Sequence, residues 1–461
     1  MAIALKLNKL MLNEGENTLI SKLINEKLNV INVVTFYSIT RLYKVATSLK
    51  SCFCYIERCF PMVVETQNFL HLDFCLVAKI LSSSELNILT EVEVFNAAIT
   101  WLKHNSKERS KYVKHLLLKV RFTLLSEHAL KYIWNCFSLI SKNQECSRIL
   151  KEVYINCLNN KSNSCYTNRY CGQNTFNFLI FGGYISESNN VVNTVNQIKG
   201  SDLNKTNVLP SMTFARRTFE AVFSRGQVYV FGGRNDCGIE IMTVEKYSPF
   251  TNKWCKVTHM RDKRQFFCAC AFIDEIYVFG GHCRQNYEAI SSCLQFDTRE
   301  KNWKRTARMN EARESAACVV FQGNILVSGG YDTDQNELNT VESYDAFADE
   351  WTSMPNTIDN YSYHSLVAIR DKLYVIGNVT YSVEVFDIAC KVFIALKPSP
   401  AFIHLNKAFP VGNKIVIFQE TRRSQQQQII CFDVDKYEWS EELCEVTKHL
   451  EDFSCLKIPL Y

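Results

Sequence analysis

The sequence predicts a protein of two parts: an all-helical domain over the first third, then an all-β domain whose six repeats close into a β-propeller. Three observations carry this. A pair of small residues recurs at a period of about 50. Each repeat after the first has two large residues, mostly aromatic, seven positions apart. Before residue 155 these signals are missing, and apolar residues follow helical spacing instead.

Short apolar runs end in paired glycines at Gly182-Gly183, Gly232-Gly233, Gly280-Gly281 and Gly329-Gly330, with weaker copies ending at Asn378 and Glu420. The first members, at 182, 232, 280, 329, 377 and 419, are spaced by 50, 48, 49, 48 and 42 residues. After the pair comes Tyr247, Phe296, Tyr344, Phe386 or Phe432, and seven residues later Trp254, Trp303, Trp351, Phe393 or Trp439. Turn-forming residues lie between the two, so the step of seven holds a strand end, a tight turn and a strand start. One period therefore makes four short antiparallel strands. Such a sheet cannot bury both faces alone, but radial stacking covers them, with the aromatics filling the space between blades. The glycines supply unusual dihedrals and close backbone approach at a strand end.

The first copy lacks a convincing innermost strand ahead of FNFLIF and has no tryptophan, while the chain runs on past Trp439 to FSCLKIPLY. That terminal segment is expected to pair into the first blade and close the ring. The glycine pair, the Tyr/Phe and the Trp at this period resemble kelch repeats, over residues 172–461. The resemblance implies a six-bladed kelch propeller.

In the first half, Thr90 to Glu93 reads as a capping box. Behind it, Val94, Phe95, Ala98, Trp101 and Leu102 form an apolar stripe ahead of a charged HNSKERSK tail. A second helix is expected from near Ser110 into YVKHLLLKV. Ser126 is expected to cap a third, containing Ala129, Leu130, Ile133 and Trp134. FLHLDFCLVAKILSS reads as helix-like. Residues 82–104 and 116–126 carry a resemblance to the BACK domain of the Kelch-like (BTB-BACK-kelch) family. The domains are then a short segment at 1–30 (at most the tail of a BTB domain), a BACK-like domain at 31–140, a helical and polar linker at 141–171, and the propeller at 172–461.

The composition is that of a folded protein, 47% hydrophobic and 21% charged, with 8 Pro and 16 Gly. A net charge of +5 with no block of like charges argues against nucleic acid as a partner, and clusters such as KERSK read as solvated surface. The 20 cysteines are irregularly spaced and below disulfide-scaffold density. No signal peptide or long apolar stretch is seen. The expectation is reduced, mostly buried thiols in the cytoplasm, with or without the nucleus, and no membrane.

No phosphate-binding, zinc-protease or nucleophile-elbow motif occurs, so no enzyme, cofactor or metal is expected. Cys52/Cys54, Cys165/Cys171 and Cys268/Cys270 are the nearest to ligand pairs. Cys268 and Cys270 read as core thiols on a strand, and Cys165/Cys171 would need two more ligands for zinc. What remains is a face. Arg217, Arg264 and Arg313 each stand 15 or 16 residues ahead of a glycine pair, with Tyr361 at that point in the fifth copy and Tyr363 and His364 beside it. Loops after the pairs add His282, Arg284, Asn286, Tyr287, Tyr331 and Asp332. The resemblance implies that these residues hold a partner peptide, and arginines with tyrosines would suit an acidic or phosphorylated one. The alternative is that each arginine ties blades together through backbone carbonyls. Two functions stay in competition: a substrate-recognition adaptor of a Cullin-3 ubiquitin ligase, and a cytoskeletal, actin-associated or scaffold protein.

Overall fold

The computed structural model describes residues 28–88, 91–125, 129–130, 133–134, 144, 147–148, 150–152, 155, 176–185, 188–200, 202–273, 275–283, 287–369, 372–377, 382–398, 407–418, 428–443 and 450–459. The chain divides into two compact units between Gln173 and Asn174.

The first unit is helical, with helices Val33–Leu42, Ala46–Arg58, Phe60–Val64, Gln67–Leu70, Phe74–Ser82, Glu91–His104, Ser106–Arg109 and Val113–Leu117. The expected stripe of Val94, Phe95, Ala98, Trp101 and Leu102 is buried. Thr90 and Ser126, the expected caps, lie outside the described residues. Two local expectations are corrected. FLHLDFCLVAKILSS is two helices, because the Asp73 carboxylate accepts the Leu76 N–H at 2.8 Å and starts a new one. The charged tail is only partly solvated surface. Arg109 lies 3.9 Å over the Trp101 ring and donates to the carbonyls of Trp101 and Leu70 at 2.7 and 2.8 Å. Replacing Asp73 with alanine removes the cap, so thermal melts of the full chain should show the helical unit less stable by about 1 kcal/mol.

Among the described residues the second unit holds six four-stranded antiparallel sheets. Sheet 2 runs Glu220–Ser224, Gln227–Phe231, Thr243–Ser248, Lys253–His259; sheet 3 runs Cys268–Phe272, Glu275–Phe279, Cys293–Asp297, Asn302–Thr306. Sheet 4 runs Ala317–Phe321, Asn324–Ser328, Val341–Asp345, Glu350–Met354; sheet 5 runs Ser365–Ile369, Lys372–Ile376, Val383–Asp387, Val392–Ala395. Sheet 6 runs Lys407–Val411, Lys414–Phe418, Gln428–Asp433, Glu438–Leu443. Sheet 1 is built from both ends of the unit. Ser454–Pro459 supplies the inner strand beside Phe176–Phe181, in the register Phe181↔Ser454, with Val195–Lys199 and Asp202–Leu209 outside them.

The step of seven in the sequence is a cross-strand pair. Tyr247 faces Trp254, Phe296 faces Trp303, Tyr344 faces Trp351, Phe386 faces Phe393 and Phe432 faces Trp439. Their ring centroids are 4.8–5.2 Å apart. Each turn between them contains a left-handed residue two positions before the second aromatic: Asn252, Lys301, Asp349, Lys391 and Tyr437, at φ 53–57°. In sheet 1 the pair is Ile198 and Thr206, which is why that copy was hard to read.

Apolar clusters span successive sheets. One joins Tyr229 and Phe231 to Phe296, a second joins Phe279 to Tyr344, a third joins Leu326 to Phe386, a fourth joins Tyr374 to Phe432, and a fifth joins Phe418 to Phe178. Phe181 meets Trp254 edge-on at 6.3 Å between sheets 1 and 2. Inner strands neighbour one another in the same order, and Ser454–Pro459 lies beside the inner strands of both sheet 6 and sheet 2.

Candidate functional site

The glycine pairs position everything at one end of these sheets. Both glycines of each pair have positive φ, from 53° at Gly182 to 104° at Gly183. A Cβ on Gly280 would stand 2.1 Å from the carbonyl oxygen of Arg313, and one on Gly281 would stand 2.6 Å from that of Gln265. The pairs are therefore required both by dihedral and by close backbone approach, the first glycine against the loop leading into the next sheet and the second against the loop leading into its own.

That approach is a relay. The second glycine of each pair donates its N–H to a carbonyl of the following sheet: Gly183 to Arg216, Gly233 to Arg264, Gly281 to Arg313 and Gly330 to Tyr361, at 2.7–3.1 Å. Each of those arginines then turns its guanidinium onto the first glycine carbonyl of its own sheet. Arg216 reaches Gly232, Arg264 reaches Gly280 and Arg313 reaches Gly329, at 2.9–3.1 Å. The three side chains are fully buried.

This corrects the expectation that Arg264 and Arg313 line a binding face. Neither has a donor left at the surface. It also corrects the register. The residue equivalent to them is Arg216, 16 positions before Gly232, and not Arg217. The carboxylate partners repeat too. Glu245 meets Arg216 at 2.9 Å and Glu342 meets Arg313 at 2.8 Å, while Glu384 accepts the Tyr361 hydroxyl at 3.0 Å. Each glutamate also accepts two backbone N–H groups of the preceding loop. They stand two residues before the aromatic of the third strand, a signal that sequence reasoning missed. Sheet 3 has Leu294 there, and Arg264 pairs with Asp262 at 3.4 Å instead. Burial pushes the pKa of Arg216 and Arg264 down from the ordinary guanidinium value, opposed by Glu245 and Asp262 respectively.

Just after the relay residues comes a second repeat, also missed. Thr218, Phe266, Ser315, Tyr363 and Asp452 all have φ of 46–55°. Thr218 donates its N–H to Asp452, Phe266 to Thr218, Ser315 to Phe266 and Tyr363 to Ser315, at 2.7–3.4 Å. This arc bounds a cavity of about 100 Å³, also lined by Glu220, Phe267, His364, Lys407 and Phe453. Lys407 Nζ is 2.5 Å from Glu220 Oε1 at its wall.

The other expected face residues gather around this mouth. Arg217 is partly exposed, 3.9 Å from Asp452 and over the Tyr184 ring at 4.6 Å. Tyr363 touches Phe266 and Tyr331, with centroids 6.0 and 6.1 Å apart. Tyr331 donates to Glu337 at 3.2 Å. His282 meets the Glu314 carboxylate through Nδ1, which places the ring proton there. Burial lowers the His282 pKa. His364 shares a hydrogen bond between Nε2 and Ser328 Oγ at 2.7 Å, and burial, helped by the charge of Arg313, pushes its pKa down to about 3. His364 is therefore neutral at physiological pH. Arg284 and Asn286 lie outside the described residues. The mouth is thus a mixed, aromatic and largely carboxylate rim and not an arginine ring.

Cys268 packs in the core between sheets 3 and 4, with Cys270 against the same cluster. Among the described residues, no group of three or more His, Cys, Asp or Glu side chains could hold a metal ion, and no helix is long and apolar enough to cross a membrane.

Repeated glycine-paired sheets following a helical domain in the chain are the architecture of a protein-interaction module. Comparison with known families agrees. Residues 33–135 match the BACK (BTB And C-terminal Kelch) domain, and residues 170–378 match the KLHDC2/KLHL20/DRC7 Kelch-repeats domain. The chain thus carries a BACK domain followed by a kelch-repeat domain. It is 23% identical to Kelch-like protein 25 of Xenopus tropicalis over 418 residues, covering 87% of this chain and 69% of that protein. It is 22% identical to Kelch-like protein 26 of Danio rerio (76% of this chain, 58% of that protein). It is 27% identical to Kelch-like protein 28 of Homo sapiens (66% and 46%). The chain thus spans about half to two thirds of the length of these relatives.

Proposed function

We propose that the six sheets form a closed six-bladed propeller, and that its glycine-pair face captures a protein for a Cullin-3 ubiquitin ligase. The cyclic order of the inner strands and the pairing of Ser454–Pro459 with Phe176–Phe181 support closure. A single observation carries the adaptor reading: a BACK domain and a kelch-repeat domain occur in one chain. The propeller would recognise the substrate while the helical domain sets its distance from the ligase, in the cytoplasm or nucleus.

Affinity capture of the tagged full chain from cells, with and without a neddylation inhibitor, tests this. Recovery of Cullin-3, together with partners that accumulate under inhibition, is the expected result. Recovery of actin or another stable partner without Cullin-3, and with no accumulation, would replace the adaptor with a scaffold.

A further inference from the structure

Resting on the reading of the glycine-pair face as the partner-binding surface, we infer that the mouth bounded by the arc receives a basic side chain, lysine or arginine, from the partner. Three observations point the same way.

The first is charge. Among the described residues in the arc, next to it, or joined to those neighbours through successive β-bridges are five carboxylates, Glu240, Glu314, Glu337, Glu451 and Asp452, against two guanidinium groups, Arg217 and Arg234. The arginines that would have favoured an acidic guest, Arg264 and Arg313, are sealed in the relay. The lysine at the cavity wall, Lys407, is neutralised by Glu220. An anionic guest would meet this rim as a like charge, and a cationic one would be drawn to it.

The second is the aromatic wall. Phe266 and Tyr363 reach the mouth from sheets 3 and 5 and stand edge to face, 6.0 Å apart. Left-handed backbone holds both in place. An ammonium or guanidinium entering here would rest against ring faces.

The third observation is independent of the acidic rim. His364 lines the cavity and is 94% buried, from its 6% exposure, yet its Nδ1 has no hydrogen-bond partner. Its Nε2 is already taken by Ser328. A buried polar atom left unpaired is costly unless something supplies its partner. A guest N–H donating to Nδ1 would fix the proton on Nε2, which then donates to Ser328 Oγ. Carboxylates and rings, with an imidazole nitrogen that accepts when the ring proton sits on Nε2, together are the complement of a cationic donor. The cavity of about 100 Å³ has room for one side-chain tip and not for a folded element.

The test is selection of random displayed heptapeptides on the immobilised full chain, followed by affinity measurements on the enriched peptides. The expected result is enrichment of Arg or Lys at one fixed position, whose change to Gln weakens binding about tenfold or more. On an Asp452→Asn chain with an unchanged melting profile, the same Arg→Gln change should matter several-fold less. Tyr363→Leu gives a second cycle if the asparagine variant melts early. Enrichment of Asp or Glu, or an Arg→Gln loss of the same size on wild type and both variants, overturns the inference while leaving the face as the binding surface. Absence of any enriched peptide overturns the inference and the face reading together.

Discussion

Replacing Arg313 with methionine is expected to destabilise the β unit by about 3–5 kcal/mol, read as an earlier thermal or urea transition of the full chain. The guanidinium is fully buried and donates to Gly329, Thr340, Glu311 and Glu342. Without it, Glu342 stays buried at 2% exposure with its cationic partner gone, and the Gly329 and Thr340 carbonyls lose a donor. A methionine of similar length fills the space, so the loss reports the charge and not a cavity. Changing Glu342 to methionine as well should recover only part of it, because the backbone N–H groups of Asn310 and Glu311 then lose their acceptor. The result separates the two roles open to this arginine from sequence. A residue that grips a partner would leave the melt unchanged and lower only the affinity.

The second large effect is expected at Phe279, where alanine should cost about 3–5 kcal/mol. Its ring is 1% exposed and sits in the cluster shared by sheets 3 and 4, with centroids 6.1 Å from Tyr344 and 5.4 Å from Trp351. Removing it opens a void at the joint between two sheets, where surrounding strands cannot collapse without breaking the relay from Gly281 to Arg313. Thermal melts should show Phe279→Ala more damaging than Trp303→Ala. Trp303 is half-buried and its indole N–H has no partner, whereas the corresponding N–H of Trp351 donates to Ala307 at 3.0 Å. A Trp303 variant as damaging as the Phe279 variant would show that the aromatic joint carries less of the stability than its burial implies.

Much of the repeat was legible because each signal answers a local constraint. A glycine pair is needed where φ is positive twice in succession, and two large residues seven apart are needed where they face each other across a tight turn. The terminal strand was legible by elimination, since the first copy lacked an inner strand and the last segment had no other place. The site was legible less well. Arg217 stood one residue out of register, although the 16-residue spacing of Arg264 and Arg313 from their glycines already pointed to Arg216. Glu245, Glu342 and Glu384 were visible as a repeat, each two residues before an aromatic, but nothing local said that a carboxylate on a third strand would meet an arginine from the loop before the first.

By itself, then, the sequence determined the sheet repeat, its register and the helical stripe of residues 94–102, because periodic burial and turn chemistry depend on near neighbours along the chain. Only the tertiary structure decided which side chains face a partner. Arg264 and Arg313 look like surface residues in sequence, and they are sealed because the glycine-turn carbonyl of their own sheet, the carbonyl just before its third strand and a nearby carboxylate converge on them. Phe266, Tyr363 and Asp452, far apart along the chain, line one mouth because left-handed residues ahead of the inner strands of sheets 2 to 5 hand their N–H groups to the sheet before, the one from Thr218 reaching Asp452.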